Sequence, residues 1–137
     1  MFETKSLPVD PTTVAPDGSD VRVLLGVTAG GMAHFELAAG EVSIAVRHRT
    51  VEEVWYIVSG HGEMWRRAES TEATVELVAG VCLTIPLGTE FQFRARGPEP
   101  LVAVGVTMPP WPGDNEAMRT TGPWTPTVAP GPGLADR

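Results

Sequence analysis

The sequence predicts an all-β fold, a sandwich or a barrel. Three observations carry that prediction. Short runs rich in Val, Ile, Leu, Phe and Trp recur at roughly 8–12-residue spacing. The 15 Gly and 13 Pro fall largely between those runs or at the chain ends. No stretch sustains a convincing helical period.

The elements follow in order. Residues 1–20 are punctuated by Pro8, Pro11, Pro16 and Gly18. They read as an extended N-terminal arm, laid over the domain surface or onto a neighbouring subunit. Residues 21–28 (VRVLLGVT) are the first strand, Ala29-Gly30-Gly31 a turn, and residues 32–38 an alternating strand. Residues 41–47 and 53–59 are the next two strands, with His48 and Glu53 at their facing ends. Gly60-His61-Gly62 turns the chain back into residues 63–67. Strands over 73–78, 81–85, 91–95 and 101–108 complete a domain spanning 21–108. Residues 109–137 form a Pro/Gly/Trp-rich tail. Trp111 and Trp124 should pack down, because a Trp left in water forfeits a large apolar area. Residues 125–137 offer nothing to bury and are expected to be mobile.

Composition bounds the partners. The 137 residues are 42% hydrophobic and 20% charged, enough for one soluble globular domain. A net charge of −7 argues against nucleic acid and against an anionic membrane surface. No apolar run is long enough to span a bilayer and no leader pattern follows Met1, so the expected location is the cytoplasm. Cys82 is the single cysteine, which excludes an internal disulfide and a Cys-based zinc cage.

Residues 40–60 carry the most information. Gly40, Val46, His48, Glu53 and Gly60 stand in the register Gly, five residues, His, one residue, His, three or four residues, Glu, six residues, Gly. Gly80, Pro86, Gly88 and Phe91 stand in the register Gly, five residues, Pro, one residue, Gly, two residues, His. In both frames and in the gap between them the chain resembles the cupin superfamily, over roughly residues 20–108. The resemblance implies a single cupin-like jelly-roll β-barrel, a double-stranded β-helix. It also implies a homodimer covering the exposed strand edges and an apolar outer sheet face. It further implies a divalent metal held by three imidazoles and a carboxylate. Two of those four positions are Val46 and Phe91 here, so the metal motif is degenerate.

Strand alternation then sorts the side chains. If Glu53 points inward, so do Trp55 and Ile57. Val46 accompanies His48, and Phe91 accompanies Phe93 and Ala95. The expected small-molecule pocket is lined by Val46, Trp55, Ile57, Phe91 and Phe93, with His48 and Glu53 as its polar groups.

Three readings of that pocket differ in chemistry. In the first, a metal is bound by His48, Glu53 and Glu90, with a bulge turning Glu90 inward and Gln92 adding a carbonyl; dioxygenase-like chemistry would follow. In the second, no metal is needed. A carboxylate among aromatic rings loses solvation, and a neighbouring His holds or shuttles its proton. The resemblance adds that cupins include sugar isomerases and epimerases and polyketide cyclases. In the third, the barrel only binds its ligand. The reading carried forward is an isomerase- or cyclase-type enzyme, with Glu53 and His48 as catalytic residues and no resident metal.

Other residues take plainer readings. Arg66 could neutralise Glu53. His34 is expected on a solvated strand face, His61 exposed in its turn, and Cys82 in the core. Arg66, Arg67, Arg94 and Arg96 could rim the pocket, although solvated edge charges are the commoner arrangement.

Overall fold

A computed structural model describes residues 1–136; Arg137, the last residue of the predicted tail, lies outside the described residues. The strands are β1 (Thr13–Val14), β2 (Asp20–Val27), β3 (Gly30–Leu37), β4 (Val46–His48), β5 (Glu52–Ser59) and β6 (His61–Ala68). Then come β7 (Thr71–Val78), β8 (Cys82–Ile85), β9 (Glu90–Arg96), β10 (Leu101–Met108) and β11 (Ala117–Arg119). Among the described residues no helix is long and apolar enough to cross a membrane.

Two sheets pack face to face, in the orders β1-β2-β3-β10-β5-β8 and β11-β4-β9-β6-β7. Within each, neighbours are antiparallel. The result is a jelly-roll sandwich: the sheets face each other but are not joined into a closed ring of backbone hydrogen bonds. Period-2 alternation builds the core. Along β5, Glu53, Trp55 and Ile57 are buried and Val54, Tyr56 and Val58 exposed. The inward set meets Phe91, Phe93, Met64 and Leu101 from β9, β6 and β10. The motif glycines Gly40, Gly60, Gly80 and Gly88 all have positive φ, which an L side chain rarely adopts.

The predicted strand over 41–47 is shorter than expected. Only Val46–His48 is regular strand, with a bridge from Val42 to Arg94. The reason is that residues 42–45 serve both arms as well as β9. Ile44 N–H donates to Asp17 O at 2.9 Å, Thr120 N–H to Ala45 O at 2.9 Å, and Thr127 N–H to Val42 O at 3.0 Å.

The N-terminal arm lies on its own chain. Strand β1 pairs with β2, and the Arg22 guanidinium reaches back to Pro8 O and Val9 O. The tail does bury surface, contrary to the expectation for residues 125–137. Val128 and Leu134 pack against the core, and Ala135 exchanges backbone bonds with Ala117 and Arg119. A short apolar side chain every few residues is enough when the backbone is fixed by its own hydrogen bonds. Arm and tail also meet: Gly131 N–H donates to Ala15 O at 2.9 Å.

Candidate functional site

A cavity of about 330 Å³ opens at one end of the sandwich. Its walls are mostly apolar: Val23, Met32, Phe35, Val46, Trp55 and Trp111 contribute. Asp17, His48 and Glu53 bring its titratable groups, and among the described residues no Lys or Arg lines it.

Glu53 is held from its own strand. Two residues on, and therefore on the same face, Trp55 donates its indole N–H to Glu53 Oε1 at 3.1 Å. Trp55 is itself fixed by stacking on Phe35, with ring centroids 5.0 Å apart and planes at 12°. Both rings lie over Gly105 of β10. A Cβ there would stand 2.9 Å from each, so the absent side chain is what lets the stack settle on the sheet.

His48 ends β4 with its ring edge-on between Phe91, at 5.2 Å, and Trp111, at 5.0 Å. Its Nδ1 lies 3.1 Å from Glu53 Oε2, yet the angles do not make a hydrogen bond and Nδ1 is left without a partner. The distance describes this contact better than the angle does. Arg66 does not neutralise Glu53; its guanidinium donates to Thr84 O at 2.7 Å.

The loop between His48 and Glu53 is anchored from the tail. The buried Glu116 carboxylate accepts the N–H groups of Thr50 (2.7 Å) and Val51 (3.1 Å) and the Thr50 hydroxyl. Burial pushes the Glu116 pKa up, but these three donors outweigh it and the net shift is downward.

Asp17 is the residue that sequence reasoning missed. It sits in the turn between β1 and β2, is 6% exposed, and lines the same cavity. Its Oδ1 accepts Ser19 N–H at 2.9 Å and Ser19 Oγ–H at 2.7 Å. Burial raises its pKa, opposed by the two Ser19 bonds; the Glu53 charge pushes further up and His48 pulls down. The signal available was slight: Asp-Gly-Ser-Asp after a Pro reads as turn chemistry alone.

The predicted pocket residues divide. Val46, His48, Glu53 and Trp55 line the cavity, whereas Ile57, Phe91 and Phe93 are buried in the core and are not among its lining residues. Glu90 is not turned inward. It pairs with Arg67 at 2.7 Å and with the Thr120 hydroxyl, because Arg67 stands directly opposite it on β6. Gln92 faces the tail instead. Its amide N–H groups donate to Ser43 O and Trp124 O, both at 2.8 Å, and its carbonyl accepts Trp124 N–H at 3.1 Å.

Of the lesser candidates, His34 is half-buried on the outer face, its pKa lowered by burial and by the Arg22 charge. His61 is exposed and contacts Glu76 at 3.0 Å. Cys82 is exposed rather than in the core, because it alternates with the buried Leu83 on a two-faced strand. Arg94 and Arg96 pair with Glu63 on the neighbouring strand β6 of their own sheet and do not line the cavity.

A resident metal does not fit these residues. Val46 and Phe91, at the two imidazole positions of the motif, are cross-strand partners and fully buried hydrocarbon. Among the described residues no group of three or more His, Cys, Asp or Glu is arranged to hold an ion.

Comparison with known proteins agrees with this architecture. The cupin domain family model matches residues 33–107, over half of the chain. No curated protein matches. Among solved structures, the chain is similar to Lactobacillus farciminis oxalate decarboxylase in its formate complex (21% identity, TM-score 0.62, 71% of this chain and 30% of that one). It is similar to CapF bound to the inhibitor 3-isopropenyl-tropolone (16%, TM-score 0.61, 71% and 30%). It is also similar to the Schizosaccharomyces pombe Cnp3 cupin domain (14%, TM-score 0.59, 66% and 64%). The chain spans less than a third of the oxalate decarboxylase and CapF chains.

Proposed function

For this chain, which belongs to the cupin family, we propose that the cavity takes a small, largely apolar molecule and isomerises or cyclises it by acid–base chemistry. The observation that carries this reading is the buried approach of His48 Nδ1 to Glu53 Oε2, 3.1 Å, at the wall of an apolar cavity. Glu53 is the base. It is anchored at one oxygen by Trp55, and its other oxygen is the one beside His48. The base takes a proton from a carbon next to a carbonyl, and His48 holds or relays that proton until it returns to a different carbon. Oxalate-like dianions suit this cavity poorly, since its described lining offers carboxyls and no fixed cation. The expected partner is a second copy of this chain, for which the exposed apolar row Val54, Tyr56 and Val58 on β5 is the supporting feature.

Deuterium uptake tests the chemistry. In D₂O, wild type should accelerate exchange at the acidic carbon of 2-tetralone, a small enolisable ketone, as followed by proton NMR. Glu53→Gln should remove roughly 10²–10⁴ of that acceleration, the usual contribution of a positioned base, and His48→Gln a smaller part. Unchanged exchange in Glu53→Gln would sink the reading. No acceleration by wild type, with 2-naphthol still bound, would leave a receptor.

A further inference from the structure

We propose that Asp17 is the acid of this site: its carboxyl donates a hydrogen bond from Oδ2 to the ligand's carbonyl oxygen while Glu53 takes the carbon-bound proton. The inference rests on the acid–base reading above and names the substrate class, an uncharged carbonyl compound.

The geometry assigns the proton to one oxygen. Asp17 Oδ1 already accepts two hydrogen bonds from Ser19, whose side chain is fully buried. Among the described residues Oδ2 has no hydrogen-bond partner, although Asp17 is a buried side chain at the cavity wall. A carboxylic acid here therefore carries its hydrogen on Oδ2, where a ligand oxygen can accept it. The carboxyl is held in place by its backbone. Asp17 O accepts Ile44 N–H at 2.9 Å, and Ala15 N–H donates to Ser19 O at 2.7 Å across the turn.

The charge state agrees with that geometry. Burial is the leading influence on Asp17 and favours its neutral form, and the nearby Glu53 adds to it. The titratable groups facing Asp17 are Glu53 from β5 and His48 from β4. A neutral acid opposite a base is an arrangement suited to enolisation. The C–H bond breaks as its proton passes to Glu53, and its electrons form the C=C bond. The carbonyl π electrons move onto oxygen, which takes the Asp17 proton. When the carbonyl compound carries a β,γ C=C bond, the enol is a dienol: the Glu53 proton returns to its γ-carbon, the double bonds shift, C=O reforms and the enol proton goes back to Asp17, which restores both groups and leaves the conjugated isomer. No oxidant or co-reactant is required. Among the described residues no Lys or Arg lines the cavity, so Asp17 is a donor suited to a developing oxyanion there.

Three measurements on the whole chain test this. Infrared difference spectroscopy at neutral pH, wild type minus Asp17→Asn, should show the carbonyl stretch of a protonated carboxyl. Asn keeps an acceptor for Ser19 and an N–H donor in place of Oδ2, so this variant should fold and bind 2-naphthol, an enol mimic, within a few-fold of wild type. Its 2-tetralone exchange should nevertheless fall about tenfold or more, because an amide donates a hydrogen bond but not a proton. Asp17→Ala should bind 2-naphthol about tenfold more weakly. An absent carboxyl band, or wild-type exchange in Asp17→Asn, overturns the inference. If exchange still depends on Glu53, the acid–base reading survives that result. If the band is present and Glu53→Gln exchanges normally, the acid–base reading fails and takes the role of Asp17 as its acid with it.

Discussion

Asp17 and Glu116 are both buried acids, and both come from segments outside the central strands 20–108. The protein treats them oppositely. Glu116 takes three donors spread over both carboxylate oxygens, and its pKa ends below the ordinary value. Asp17 takes two donors from one residue, both on Oδ1, and burial wins. Burial alone therefore does not decide the charge of a carboxyl in this molecule; the number and placement of N–H and O–H groups does. One acid is used to fix a loop. The other is left with an oxygen to spare.

The comparison can be broken hardest at Glu116. Replacing it with Ala strands the donors of Thr50 and Val51 at a buried site, so Glu116→Ala should destabilise the fold by about 2–4 kcal/mol in urea titrations. It should also impair any activity that needs Glu53 and His48 together, since the loop between them loses its anchor. A loss under about 0.5 kcal/mol would mean that water replaces the carboxylate.

The pH dependence should separate the two acids next. Glu116 has a lowered folded pKa, so its contribution is present above the ordinary carboxyl range and lost as pH falls. Asp17 has a raised folded pKa, so its contribution is complete below its unfolded value and lost as pH rises through the folded one. Asp17→Asn should therefore gain thermal stability relative to wild type on going from about pH 4 to about pH 8. A constant difference in Tm across that range would show that Asp17 is ionised in the folded state throughout.

The smallest effect should come from Ser19→Ala. It removes one of the two Asp17 donors and leaves the backbone N–H. Stability should fall by about 1 kcal/mol, and the Asp17 carboxyl should titrate still higher in a carbon-13 NMR titration. Downward movement would contradict the hydrogen-bond assignment.

Much of the fold was legible because period-2 burial and Gly-bounded turns are local signals. The alternation of Glu53, Trp55 and Ile57 against Val54, Tyr56 and Val58 places one carboxyl inside with no tertiary information. The rest of the site was not legible because it depends on contacts distant in sequence. Glu116 lies in an irregular Pro/Gly stretch and finds its donors 65 and 66 residues away. Asp17 has a sufficient local explanation, its bonds to Ser19, and that hides its second oxygen. Glu90 shows the opposite error. A bulge could have turned it inward, but its cross-strand neighbour is Arg67, and an ion pair in register leaves nothing to be gained by bulging. The boundary between core and cavity also escaped alternation, which tells Phe91 and Phe93 from the outer face but not the sandwich middle from its open end.

The crossing of the two chain ends, Gly131 N–H to Ala15 O, has a consequence for the order of events in the cell. Synthesis delivers a protein from its N-terminus. A growing chain that has exposed Glu53 and His48 still lacks Trp111, the Glu116 anchor and the strand Ala117–Arg119 beside β4. The turn carrying Asp17 gains its Gly131 contact later still. The nascent chain therefore holds an unfinished groove until residues 111–131 have been made. Any small molecule this cavity takes is loaded only once those residues have closed its wall.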